Sequence, residues 1–143
     1  MAARYLLDTD TCIYLRQRRP EKVIRHFGRL RPGEAVISVV TYGELFYGIE
    51  KHVLSSASFD RLAELNTLLP VLPLTLETAK AYGSIRADLE RSGRLIGGND
   101  LWIAAQAIEH NYLLLTSNPE DFSHLPGLRL AAIPLTRPAT APL

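Results

Sequence analysis

Three short apolar runs constrain this chain most. YLL at 5–7, AVIS at 35–38 and YLLLT at 112–116 are bounded by polar residues, and helical spacing fills much of the chain between them. Continuous apolar runs of that length suit strands buried on both faces, the condition of a parallel sheet covered by helices. Helix signals come at 11–18, 21–30, from 41 onward, 59–69, 76–91 and 100–110. Val23, Ile24, Phe27 and Leu30 make a stripe closed by Pro32-Gly33, and Leu45, Ile49 and Val53 recur every four residues. Shorter strands are expected at 71–74 and 128–133, with a turn at Asn118-Pro119 and a short segment at 120–123 before the last strand. The expected fold is α/β: one domain over 1–134, with a central, mainly parallel sheet and helices on both faces. The Pro- and Ala-rich stretch at 135–143 has nothing to bury and is expected to be disordered.

With 143 residues and 22% charged side chains, the chain has length for one core. Domains of that size bury about 68–70% of the unfolded surface, so stability needs neither a disulfide nor a structural metal. Cys12 is alone within an apolar helical stretch, which rules out an internal disulfide and reads as a buried small side chain. Arg4 and Asp8 interrupt the first residues before an apolar leader could form, and no window approaches the ~18 apolar residues of a membrane span. A cytoplasmic protein with no membrane segment is expected. The formal net charge of +1 does not by itself indicate nucleic acid. Basic residues are nevertheless clustered: Arg16, Arg18, Arg19, Lys22, Arg25, Arg29 and Arg31 in one region, Arg86, Arg91 and Arg94 in another. Such clusters are solvated helix faces unless they sit beside an acidic site, where they would meet a phosphate backbone.

In open α/β sheets ligands sit beyond the carboxyl ends of the strands, so the residues that follow each strand carry the functional signal. Asp8 and Asp10 follow the first run; Ser38, Thr41 and Glu44 follow the second; Thr116, Ser117, Asn118 and Asp121 follow YLLLT, and Asp100 opens the helix that leads to it. Each has a structural explanation. Asp8 or Asp10 could cap a helix, Thr41 and Glu44 could form a capping box, and Asn99 or Asp100 could be an N-cap. Convergence tells differently. Carboxylates drawn to ~5 Å repel by about 3 kcal/mol per pair at an effective dielectric near 20, a cost that a divalent cation removes. Oxygen donors without His or Cys point to a hard ion, Mg²⁺ or Mn²⁺, and the histidines at 26, 52, 110 and 124 show no metal-ligand spacing to one another.

Asp8-Thr9-Asp10-Thr11 matches the DxDxT signature that opens haloacid-dehalogenase-like phosphatases. That resemblance implies Asp8 as a covalent nucleophile, Asp10 as acid/base, Ser38 as a phosphate contact, Lys80 as the neutralising cation and Asp100 on Mg²⁺. It leaves Glu44 without a role and places Lys80 inside a long helix. A catalytically silent module that binds RNA or a partner is a third class.

A second resemblance covers more of the chain. LLDTDTCIYL, ISVVTYGELFYGIEK, IRADLERSGRLIGGNDLWIAAQAIEHNYLLLTSNPEDF and PGLRL, in that order over roughly 4–131, resemble a PIN-domain ribonuclease of the VapC type, the toxin half of a bacterial toxin–antitoxin pair. The resemblance implies a compact α/β fold, a homodimer, Mg²⁺- or Mn²⁺-dependent cleavage of tRNA or rRNA, and inhibition by a small VapB-type antitoxin. Carried over residue by residue, Asp8, Glu44 and Asp100 match its acidic metal ligands. Asn118 stands where many PIN domains have an acid, with Asp121 a turn later, and Asp10 stands where the family usually has Asn. That extra acid would lie near the metal or cap the helix. Thr116 and Asn118 are candidates to hydrogen-bond the water or phosphate, Arg16, Arg86 and Arg94 to grip the RNA backbone. Tyr42, Phe46 and Tyr47, with Tyr14 and Trp102 elsewhere, are candidates for partner contact or for the core.

Overall fold

A computed structural model describes residues 3–17, 28–52 and 56–132, the side chains of 16 and 17 excepted. Its five strands are β1 (Tyr5–Leu7), β2 (Ala35–Ser38), β3 (Val71–Leu72), β4 (Leu113–Thr116) and β5 (Arg129–Ala132). They form one sheet in the order β3-β2-β1-β4-β5, and every pairing is parallel. The described helices are α1 (Thr9–Gln17), α2 (Val39–Lys51), α3 (Ser56–Leu68), α4 (Leu76–Arg91) and α5 (Gly98–His110). The α/β sheet with flanking helices expected from the sequence is the observed fold.

The period-2 alternation of the strands divides the core in two. Leu6, Val36 and Leu114 are in register on one face and pack with Ile85 and Leu89 of α4 and Leu101, Ile103 and Ala104 of α5. Leu7, Ile37 and Leu115 point to the other face, against Cys12 of α1, Leu45 and Ile49 of α2 and Leu62 of α3. Burial of this kind contributes about 1.5–3 kcal/mol for each large apolar side chain. Cys12 is fully buried, and burial pushes its thiol well up, so it is packing rather than a reactive group.

The helix expected at 76–91 is observed with those bounds as α4, whereas three other helices start two residues early. α1 begins at Thr9 rather than 11, α2 at Val39 rather than 41, and α5 at Gly98 rather than 100. The capping box that Thr41 and Glu44 could form is absent. Ser38, extended at φ −71°, ψ 148°, caps α2 by accepting from Val40 N at 3.0 Å, which leaves Thr41 buried inside the helix. The α5 cap is Gly97, without a side-chain bond, rather than Asn99 or Asp100. Among the described residues a capping box is formed by Thr75 and Thr78, at the start of α4. Asn111 takes the left-handed conformation at φ 57° and turns the chain from α5 into β4. The helix expected at 21–30 falls mostly outside the described residues, and 28–30 lie in a turn. The tail at 135–143 lies outside them as well. Among the described residues no helix is long and apolar enough to cross a membrane.

The topology locates the site. From β1 the chain runs to β2 and β3 on one side of the sheet, then returns to β4 on the other side of β1. The connections therefore diverge between β1 and β4, and the crevice outside their carboxyl ends is where such a sheet binds its ligand.

Candidate active site

Asp8 stands between the end of β1 at Leu7 and the start of α1 at Thr9. Its Oδ1 accepts from Thr11 N at 3.0 Å and from Thr11 Oγ1 at 2.5 Å, so it does cap α1. Its Oδ2 accepts from Thr116 Oγ1, at the end of β4 and 108 residues away. Cap and site residue are thus the same side chain. Burial raises the Asp8 carboxyl above its ordinary range, the hydroxyls of Thr11 and Thr116 and the Thr11 N–H work against that, and the Asp10 charge adds to it.

Glu44 projects from α2 and accepts from Thr9 Oγ1 at 2.7 Å, while Thr9 Oγ1 stands 3.0 Å from Thr41 Oγ1. Asp100 lies in the first turn of α5. Its carboxyl is pushed up to about 6, first by burial and then by the charges of Asp8, Glu44, Asp121 and Asp10. Four acids from three other segments thus act on one group, which is the convergence at issue. All five carboxylates line one cavity of about 310 Å³, with Asn118 and Thr9 between them and Ile13, Tyr47 and Phe122 forming the apolar wall. Among the described residues no three acidic, histidine or cysteine side chains are gathered in a metal-coordinating arrangement. The carboxylates stand around the cavity rather than closing on a point, as like charges do. Their chemistry fits a hard divalent cation, because every charged donor is oxygen and, among the described residues, no cation lines the cavity.

The remaining residues divide. Asp10 does not cap α1, since Asp8 has that role; it faces the cavity and accepts from Asn118 Nδ2 at 3.1 Å. Thr116 is fully buried, and its hydroxyl is committed to Asp8 and to the Asn118 N–H at 2.9 Å, so it fixes the Asp8 carboxylate against the end of β4. Asp121 lines the cavity from the 3₁₀ turn Pro119–Asp121. Arg86 is bound to Glu90 and the Tyr82 hydroxyl on the outside of α4, Arg94 is exposed beyond its end, and neither lines the cavity. Arg16 falls in the last turn of α1, and its side chain lies outside the described part, as do Arg18, Arg19, Lys22 and Arg25. Lys80 is exposed and paired with Glu77, while Ser38 is spent as a cap, so the phosphatase reading loses its cation and its phosphate contact.

Of the aromatic residues, Tyr47 is 60% exposed at the cavity rim and Phe46 is 39% exposed, packed 5.1 Å from Phe59 and 6.0 Å from Tyr42. Trp102 stacks on Tyr82 at 3.8 Å between α5 and α4. Sequence reasoning gave no role to Thr9 and Thr11, although both stand in the DTDT stretch, and none to Phe122 or Ile13, whose apolar character carries no site signal.

The family model for the PIN domain matches residues 5–128. The chain belongs to the PIN-domain family. Its relatives on the VapC branch include ribonuclease VapC2 of Haemophilus influenzae, 32% identical over 88% of this chain and 95% of the relative. The tRNA(fMet)-specific endonuclease VapC of Salmonella typhimurium is also 32% identical, over 89% of this chain and 96% of its own. The solved structure of VapBC-1 from nontypeable Haemophilus influenzae matches this PIN domain with a TM-score of 0.79 at 32% identity, covering 90% of this chain and 96% of that one. The PIN domain's match takes in each carboxylate of the cavity, from Asp8 to Asp121.

Proposed function

We propose that this PIN domain is the endoribonuclease toxin of a toxin–antitoxin pair, hydrolysing RNA phosphodiester bonds with a divalent cation, Mg²⁺ or Mn²⁺, held by Asp8, Glu44 and Asp100. The observation that carries the reading is the shared cavity in which an Asp100 carboxyl pushed to about 6 answers to four other acids. A cation bound there supplies the charge that acidifies a water and neutralises the oxygens of an in-line displacement at phosphorus.

The chain's own residues do the rest. Thr11 and Thr116 aim their hydroxyl protons at the two oxygens of Asp8, which fixes that carboxylate and favours its charged form. Asn118 holds Asp10 toward the cavity, and Asp121 adds charge from the next turn. Phe122, which is 2% exposed, and Ile13 close the wall and keep the local dielectric low, so charge at the site counts for more than in water. The guanidiniums of Arg16, Arg86 and Arg94 are proposed as contacts for the RNA backbone at a distance from the cut. A VapB-type antitoxin is proposed to cross the exposed Phe46 and Tyr47 on α2 and to set a basic side chain against the carboxylates, because the acids that attract a cation attract an arginine equally. The functional unit is proposed to be a cytoplasmic homodimer, with residues 1–134 as one domain.

Induction of the chain in bacterial cells, beside its Asp8→Asn variant, tests this reading. Growth arrest with one dominant set of new RNA ends, absent with the variant, is expected. Arrest of equal depth by both proteins would overturn it.

A further inference from the structure

We infer that Thr9 is a positioning residue that fixes the Glu44 carboxylate for cation binding, an inference that rests on the reading of Glu44 as a ligand. Asp8 is locked by a backbone N–H and two hydroxyls, but Glu44 has a longer side chain and is partly exposed on α2. Among the described residues its side-chain donor is Thr9 Oγ1, at 2.7 Å from Oε1. The direction of that bond follows from proton counting. A carboxylate only accepts, and a hydroxyl has a single proton. Thr9 therefore donates to Glu44, and the 3.0 Å contact between Thr9 and Thr41 must run from Thr41 to Thr9.

The result is a directional chain, Thr41 to Thr9 to Glu44, that begins and ends on α2 and passes through the first residue of α1. Its base is firm, since Thr41 is fully buried one turn before Glu44. With Oε1 engaged by Thr9, Oε2 is the oxygen left for a ligand. The chain also ties the α1 start, which carries Asp8 and Asp10, to the helix that carries Glu44. Thr9 thereby couples two acidic segments that the sequence holds 35 residues apart. The merely structural alternative is that the Thr9 hydroxyl satisfies itself locally at a helix start; its loss would then lower stability and leave ion binding alone.

Mn²⁺ binding to the purified full-length protein, by titration calorimetry with a melting curve for each variant, separates these. Thr9→Val, which keeps the volume and removes the proton, is expected to weaken Mn²⁺ binding by about 10-fold or more, the range seen when a partner of a metal ligand is removed, and Thr9→Ser to restore it to within about twofold of the parent. If Thr9→Val fails to fold, Thr9→Ala carries the same comparison. Mn²⁺ affinity unchanged in Thr9→Val while Glu44→Gln weakens it would overturn the inference, as would Thr9→Ser binding as poorly as Thr9→Val. An unchanged affinity in Glu44→Gln would overturn the ligand reading itself and take the inference with it.

Discussion

At the level of single residues, Asp100 carries the clearest electrostatic signature, a carboxyl raised to about 6 by burial and by four neighbouring acids. The sign of its effect on stability is fixed. A carboxyl raised in the folded state binds more protons there than in the unfolded chain, so its contribution is present at low pH and is lost as pH rises through the folded value near 6. With divalent ions chelated, Asp100→Asn is expected to be more stable than the parent well above pH 6, the gap closing below about pH 4, as urea midpoints at each pH would read. A gap independent of pH would contradict the assignment. Thr116 makes the opposite kind of contribution. In Thr116→Val, Asp8 loses a donor and the Asn118 N–H loses its acceptor, at an expected cost of about 1–3 kcal/mol in denaturant unfolding together with lower Mn²⁺ affinity.

At the level of elements, the two-faced core explains why the strands read so plainly in the sequence. Leu6 and Leu7 are both fully buried, on opposite faces, so no alternation of polar residues interrupts the run. Leu7→Ala is expected to cost about 2–5 kcal/mol, because the sheet cannot close over the space left. The same burial in Leu6→Ala should cost as much, and a small cost in either would argue against a sheet covered on both sides. The helix starts were harder to read for a reason that also concerns function. The first residues of α1 and α5, Thr9-Asp10 and Gly98-Asn99, carry no apolar stripe, and Val39-Val40 of α2 continue the apolar run of β2 without a break. The helical stripe sets in only after these residues, so these three expected starts fell two residues late. Thr41 illustrates the consequence: three residues before Glu44 it imitates a capping box, whereas Ser38 at the strand end already has the extended backbone that a cap needs.

At the level of the whole molecule, the acids are scattered from 8 to 121 in the chain, and the strand order brings them to one rim. Spacing along the sequence could suggest Asp8, Glu44 and Asp100 because each follows a strand or opens a helix beside one. It could not show that Asp10 turns inward to Asn118, or that Thr9 and Thr116 hold the carboxylates of Glu44 and Asp8, because both depend on contacts across more than thirty or a hundred residues. The family relation and the cavity together make cation-dependent RNA cleavage the central claim. Its most direct test is cleavage of cellular RNA by the purified protein, first stripped of divalent ions with chelator, then restored with Mg²⁺ or Mn²⁺. The expected result is no cleavage when stripped, recovery on restoration, and no recovery in Asp8→Asn, Glu44→Gln or Asp100→Asn. Cleavage that persists in chelator, or that survives all three substitutions, would contradict the account.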